Sequence, residues 1–390
     1  MNILFLDWLC YAKEGTIDAF KKMKHNVFEF AHEDYQEDKS DKFDRDITEF
    51  CKKNDIDICF SYNFYPVLSE FCYKNNMKYI SFVYDCPYVM LYSYQLKYPT
   101  NYVFLFDSSQ YKELYEGGLR NVFYMILPTD PKLIDRMLET EYDKEKLTCD
   151  ISFMGQLYDE EYNYYDRIQG KKNEYLNGYM DAIVCAQQKI YGYSFVKKVL
   201  TPDIIDMLEK EFGYGTPKGA FGLDYIYENY VMNRKITQKE RRRILERVGR
   251  EYPRRCKLFT WEKKAEVLGV KNMGVADYIK EMNLVFYLSK INLNITLRSI
   301  KTGIPLRCMD IMGSGGFLLT NYQRDLFEFF DVDKEFVIYE DDDDLVRKID
   351  YYLKNENERK EIALNARKKI ETNYTFYHIF GEIFDIVNHK

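Results

Sequence analysis

The sequence predicts an α/β protein of two domains, each a parallel sheet covered by helices. Three observations carry this. Between Met1 and Asp130, short apolar runs alternate with amphipathic segments of helical period. At Asp150–Met154 a fresh apolar run begins the pattern again. The chain has 390 residues, more than one core ordinarily holds, since single cores seldom grow past about 250–300 residues.

In the first domain, taken as 1–130, the apolar runs are Ile3–Leu6, Asn26–Phe30, Ile56–Phe60, Tyr79–Tyr84, Tyr102–Phe106 and Val122–Ile126. Strands buried on both faces read as such continuous runs, so the domain is expected to be Rossmann-like. The loop after the first run holds Gly15 but no GxGxxG, which disfavours a dinucleotide cofactor. Several runs end in polar residues: Asp7, then Ser61 to Asn63, then Asp85 before Cys86 and Pro87, then Asp107. All belong on the carboxyl edge of the sheet, where open α/β folds bind ligands. Asp107 precedes an amphipathic run and reads as a helix cap. Pro87 discourages an immediate helix after Asp85, leaving a carboxylate in a loop that is a candidate for substrate contact.

Residues 131–149, opening on Pro131 just after Pro128 and with a charged stretch within, read as a linker. The second domain, 150–372, opens with the Asp150–Met154 run, and Gly155 after it permits close approach of the backbone to a phosphate. About 158–250 is helical in pattern and is expected as an insertion. Within it, Lys239–Lys257 is strongly basic. A solvated helix face is the first reading, and docking to anionic lipid head groups or an anionic acceptor the second. The Asp341–Asp344 run precedes an amphipathic segment and is expected to cap that helix rather than hold a metal. Residues 373–390 form an aromatic-rich last helix, expected to pack back on the first domain.

The densest functional signal lies in Ser289–Asn321, SKINLNITLRSIKTGIPLRCMDIMGSGGFLLTN. It reads as a strand, a loop with Arg298, Lys301 and Arg307, a short helix carrying Asp310, a turn at Gly315 and Gly316, and a second strand. Any such crossover needs a glycine turn and charged loops. Three cations within one loop and helix start, beyond the end of a strand, also suit an anionic, hydroxyl-rich ligand such as a nucleotide diphosphate-sugar, with Gly315 and Gly316 expected among the residues that contact it.

Composition bounds the rest. Net charge is −7, so the protein as a whole is not a nucleic-acid binder. Nine cysteines without a CxxC pair read as reduced, mostly buried thiols rather than disulfides or a zinc site. Asp7 interrupts the apolar start and no basic leader precedes it, so a first strand is expected there, in a cytoplasmic protein. No window is apolar for long enough to span a membrane.

Two successive Rossmann-like domains without a dinucleotide fingerprint point to the GT-B architecture, in which the domains face across a cleft. The stretch SKINLNITLRSIKTGIPLRCMDIMGSGGFLLTNYQ, with the later YYLKNENERKEIA, resembles the C-terminal domain of CgeB-like (spore maturation protein B-like) bacterial glycosyltransferases. FVYDCPYVMLYS and FLFDSSQY are similar to the N-terminal domain that often precedes it in Firmicutes. The resemblance implies transfer of a sugar from a nucleotide diphosphate-sugar to a polysaccharide, lipid-linked or protein acceptor, with no cofactor and no metal. It implies that Asp310 takes the ribose hydroxyls, as the second acid of a Glu-x7-Glu element does, that Arg298, Lys301 and Arg307 neutralise the diphosphate, and that Gly155 meets the phosphates. The first acid of that element is Thr302 here. The closing His-Thr-Tyr…Arg motif appears as Tyr374, Thr375, Phe376 and Ile379. If transfer inverts configuration, Asp85 is the candidate base, with Asp7 behind it. A nucleotide-sugar epimerase and a catalytically silent nucleotide-binding or scaffold protein are the alternatives.

Overall fold

A computed structural model describes residues 1–159, 163–169, 173–213 and 222–389. Two compact units emerge: residues 1–129 with 373–389, and the described residues from 130 to 372.

The first unit holds β1 (Asn2–Leu6), β2 (Asn26–Phe30), β3 (Ile58–Tyr62), β4 (Lys78–Val83), β5 (Asn101–Leu105) and β6 (Val122–Tyr124). Each lies on, or within two or three residues of, an apolar run read from the sequence. All pairs are parallel, in the order β2-β1-β3-β4-β5-β6. The chain therefore reverses its direction of winding between β1 and β3, the place where such sheets open a crevice. Ser40 caps the Asp41–Asn54 helix by accepting from Phe43 N–H, and Asp107 caps Ser108–Glu116 by accepting from Ser109 and Gln110.

The last helix, Phe376–His389, seals this unit. Phe380 packs 4.8 Å from Phe20 and 5.5 Å from Phe60, centroid to centroid. Burying such rings contributes roughly 1.5–3 kcal/mol each. A Cβ at Gly15 would lie 2.7 Å from the Phe376 ring, so this glycine serves helix docking.

The second unit holds β7 (Ile151–Met154), β8 (Cys256–Phe259), β9 (Val270–Asn272), β10 (Ile291–Asn294), β11 (Leu318–Asn321) and β12 (Val337–Tyr339), all parallel, in the order β12-β11-β10-β7-β8-β9. Its switch point falls between β7 and β10. The region read as a linker is folded: Pro131–Leu138 and Lys144–Leu147 are helical, and Ile134, Met137 and Leu147 are buried against Phe259, Leu284 and Val285. The insertion between β7 and β8 has its own core, including Leu176, Met180, Val184, Leu208 and Tyr227. Its Gly213–Gly222 interruption lies almost wholly outside the described residues. The long Asn233–Glu251 helix after it packs Ile244, Leu245 and Val248 into the main core of the unit, so it is the crossover from β7 to β8 rather than part of the insertion. A short helix, Leu326–Phe329, follows β11. Asp341 caps the Asp342–Lys354 helix by accepting from Asp344 N–H. All nine cysteines are free thiols, six of them buried.

Candidate functional site

The carboxyl edge of the second sheet is built around its switch point. Gly155 follows β7 directly, and its N–H donates to Phe259 O at 3.0 Å, holding the ends of β7 and β8 together. The loop beyond β7 is tied to the loop beyond β8 by Glu262, which accepts from Leu157 N–H at 2.6 Å and Asp159 N–H at 2.9 Å. Between β7 and β10 lies the buried guanidinium of Arg241. It donates to Ile295 O through Nε (3.1 Å) and Nη2 (2.7 Å), and to Gln156 O through Nη1. Its plane sits 5.4 Å from the Phe153 ring centre and 5.2 Å from that of Tyr158. Burial pulls the pKa of Arg241 below the ordinary arginine value. Tyr158, Glu240 and Glu262 oppose that, and the like charge of Arg307 adds to it. With so high a starting pKa the group stays charged.

The loop after β10 is pinned to the start of the Asn233–Glu251 helix and to the π-helical turn Tyr227–Met232 before it. Arg298 clasps Glu240 bidentately, Nε to Oε2 at 2.7 Å and Nη2 to Oε1 at 3.0 Å, while Nη1 donates to Ile190 O at 2.8 Å. It also lies over the Tyr191 ring, 4.2 Å from its centre, and Tyr191 itself hydrogen-bonds Glu240. Burial alone would lower the pKa of Arg298, but Glu240 more than offsets it and the net shift is upward. Lys301 meets the buried Glu228 at 3.1 Å. Arg298 N–H donates to Thr237 Oγ1, and Ser299 Oγ to Asn229 O. Two of the three expected diphosphate cations thus face glutamates that are 1% exposed or less.

Arg307 is placed differently. It stands in the first turn of the Leu306–Gly313 helix, whose start faces the carboxyl edge because a crossover helix runs antiparallel to the strands it joins. Its side chain is 30% exposed, lies over the Phe286 ring and against the Met282 thioether, and reaches Asp310 at only 4.0 Å. Asp310, one turn on, is buried. Gly155, Arg307 and Asp310 therefore belong to elements that meet at the switch point.

Gly315 and Gly316 do not. They precede β11 and so lie at the amino edge of the sheet. Gly315 has φ +76°, and a Cβ on Gly316 would stand 2.7 Å from Phe286 O and 2.8 Å from Asn292 Nδ2. Their residue type follows from that tight helix-to-strand turn.

On the first unit the carboxyl ends of β1, β3 and β4 carry Asp7, Asn63 and Asp85. Asp7 accepts from Lys13 Nζ at 2.7 Å and from Leu9 N–H at 2.9 Å; Lys13 also reaches Glu29 at 2.8 Å. Burial raises the pKa of Asp7, but Lys13 and the Leu9 N–H outweigh it and hold the carboxyl below its usual range. Asn63, itself in the left-handed region at φ +59°, donates to Asp85 Oδ2 at 2.7 Å and accepts from the N–H groups of Tyr84 and Asp85 at 3.2 Å. Asp85 as a residue is exposed, yet its carboxyl sits among densely packed neighbours. That crowding raises its pKa and the Asn63 amide pulls it partly back. Trp8 lies alongside, its indole N–H on Tyr62 O at 3.0 Å and its ring 6.0 Å from that of Tyr84.

The sequence reading did not single out Glu240, Arg241 or Glu262, which brace the second edge. A signal for Arg241 was present: Ile244 and Val248 follow it at helical spacing, so it falls on the inward stripe of its helix.

Residues 234–385 match the model of a family described as glycosyl transferase-like. No curated protein matches the sequence. Among solved structures, Anabaena HepE in complex with UDP and glucose is 9% identical with a TM-score of 0.52 and full coverage of both chains. The sucrose-phosphate synthase of Thermosynechococcus elongatus is 11% identical with a TM-score of 0.50, over 100% of this chain and 98% of that one. An alpha-glucosyltransferase in complex with UDP and DNA is 12% identical with a TM-score of 0.50, over 100% and 99%. The two six-stranded parallel sheets are the two Rossmann-like domains of the GT-B fold, and residues 234–385 carry a glycosyl transferase-like domain.

Proposed function

We propose that the chain transfers a glycosyl group from a nucleoside diphosphate-sugar to a hydroxyl-bearing acceptor, as its CgeB-like resemblance implies. The observation that carries this is the pairing of Arg307 and Asp310 one helical turn apart beside the β7/β10 switch point. A carboxylate there suits the cis-diol of a ribose, and a guanidinium suits a diphosphate. The UDP bound in Anabaena HepE and in the alpha-glucosyltransferase supports trying uridine nucleotides first.

The reaction needs negative charge stabilised on the departing diphosphate as the anomeric carbon–oxygen bond breaks. Arg307 supplies it, helped by the N–H groups at the start of its helix, and no metal is required for this step. Arg298 and Lys301 hold the β10 loop in place through Glu240 and Glu228, while Gly155 lets the backbone approach the phosphates. On the first unit, Asp85 takes the proton of the acceptor hydroxyl if transfer inverts configuration, and shapes the acceptor pocket if it retains it. Because Asp85 has a raised pKa, a base role shifts the acid limb of the pH–rate profile upward from the ordinary aspartate value, activity rising with pH through that limb.

The test is release of UDP from UDP-sugars by the full chain with and without glycan acceptors, with NMR of the product anomer. Turnover that requires an acceptor supports the reading. An isomerised sugar formed without acceptor supports epimerisation instead, and no turnover across donors and acceptors removes the proposed chemistry.

A further inference from the structure

The basic stretch Lys239–Lys257 looks at first like a surface for anionic partners. It borders an open groove of about 520 Å³ lined by Lys235, Lys239, Arg242, Arg243, Arg247 and Arg250. Its arginines are, however, largely spoken for: Arg242 pairs with Asp159, Arg243 with Asp342, Arg247 with Asp343, Arg250 with Glu246 and Arg255 with Asp150. Charges neutralised in this way exert little pull on a distant surface.

The loop packed against that helix is built on different lines. Thr260–Gly269 joins β8 to β9 and lies on the helix, with Arg242 Nη1 donating to Glu266 O at 3.1 Å and Arg254 N–H to Gly269 O at 2.8 Å. A Cβ at Gly249 would meet Leu268 O at 1.8 Å, so the loop backbone is seated directly on the helix at that point. The loop turns two large apolar side chains outward, Trp261 at 66% and Leu268 at 68% exposure. Between them stand the exposed Lys263 and Lys264, and Arg254 and Lys271 flank the loop's far end. None of these four cations has an acidic partner among the described residues. Two acids belong to the loop. Glu262 is engaged by the Leu157 and Asp159 N–H groups, and Glu266 is exposed.

We propose that this loop docks the protein onto a bilayer containing anionic lipid. Unpaired lysines are attracted to an anionic leaflet, and an exposed tryptophan and leucine beside them enter its interfacial layer. The charge is local: the whole chain carries −7, so a generally sticky cationic surface is not the explanation. No helix among the described residues is long and apolar enough to cross a membrane, so the contact is peripheral.

The sequence's two tryptophans make the test direct. In the full chain carrying Trp8→Phe, Trp261 is the sole tryptophan. Its emission is expected to shift to the blue on mixing with vesicles of equal parts phosphatidylcholine and phosphatidylglycerol, and not with phosphatidylcholine alone. Wild type is expected to co-sediment with the mixed vesicles and to be released by salt. The double variant Lys263→Ala, Lys264→Ala should lose about 30-fold in partition, at about tenfold per 1.4 kcal/mol. Trp261→Ser with Leu268→Ser should lose binding while Tm, which reports the buried cores, stays put. Wild type remaining in the supernatant, equal binding to both vesicle types, or an unmoved Trp261 emission overturns the proposal. Binding to a soluble polyanion such as heparin, with no vesicle-induced blue shift, overturns it in favour of a polyanionic partner.

Discussion

The carboxyl edges of the two sheets are furnished in opposite ways. The first carries carboxylates, Asp7 and Asp85, set among an amide and aromatic rings, with Lys13 as the cation that answers Asp7. The second carries guanidinium and ammonium groups, Arg241, Arg298, Lys301 and Arg307, with buried carboxylates answering most of them. One fold class thus yields an edge suited to accepting protons from hydroxyls and another suited to gripping a polyanion. The contrast within the second edge teaches more. Where a cation is clasped bidentately by a fully buried glutamate, as Arg298 is by Glu240, it stabilises the scaffold; where its nearest carboxylate stands off at 4.0 Å, as for Arg307, it has capacity left for a ligand.

The largest effect expected from that division is on stability. Glu240→Ala strands the Arg298 guanidinium in a mostly buried position and should cost about 3–5 kcal/mol in urea unfolding, as breaking one side of a buried pair does. If it costs as little as an exposed pair, Arg298 is not the scaffold cation. Next comes chemistry. Arg307→Ala should lower kcat by about 10²–10³-fold, the size seen when one transition-state donor is removed, with Tm little changed. An equal loss in Tm would place Arg307 with Arg298. Asp310→Asn should weaken donor binding by about 10- to 100-fold, since a hydrogen bond to a charged group contributes about 1.5–3 kcal/mol; the measurement is calorimetric titration. The smallest effect concerns the first edge. The pKa of Asp7 is lowered on folding, so its ionised form adds stability that is present above the unfolded value and lost as pH falls through the folded one. Asp7→Asn should flatten that part of the stability–pH curve, and an unchanged curve would mean Lys13 does not hold it.

How much of this was legible follows from where side chains go. Strands buried on both faces write themselves as apolar runs, so most of the twelve strands could be read or nearly so. β9 could not: it is a three-residue edge strand, Val-Lys-Asn, with no residue fully buried. Residues 131–149 read as a linker because prolines and charges dominate the count, whereas burial there rests on a few scattered residues, chiefly Pro131, Ile134, Met137 and Leu147. In the site, the loop cations were visible as residue types but not as pairs, since Glu228 and Glu240 lie far from Lys301 and Arg298 in sequence. Arg241 was masked by the charges beside it, in a run that reads as solvated surface. Gly315 and Gly316 were legible as a turn, but only the strand order shows that the turn faces the opposite edge from Gly155.

The most direct measurement is binding of a nucleotide panel to wild type, Arg307→Ala and Asp310→Asn by calorimetry. A nucleoside diphosphate should bind wild type and lose affinity in both variants, the free ribose-less diphosphate being insensitive to Asp310→Asn. Failure of wild type to bind any nucleotide, or variants that bind as wild type does, would contradict a donor site at the β7/β10 switch point.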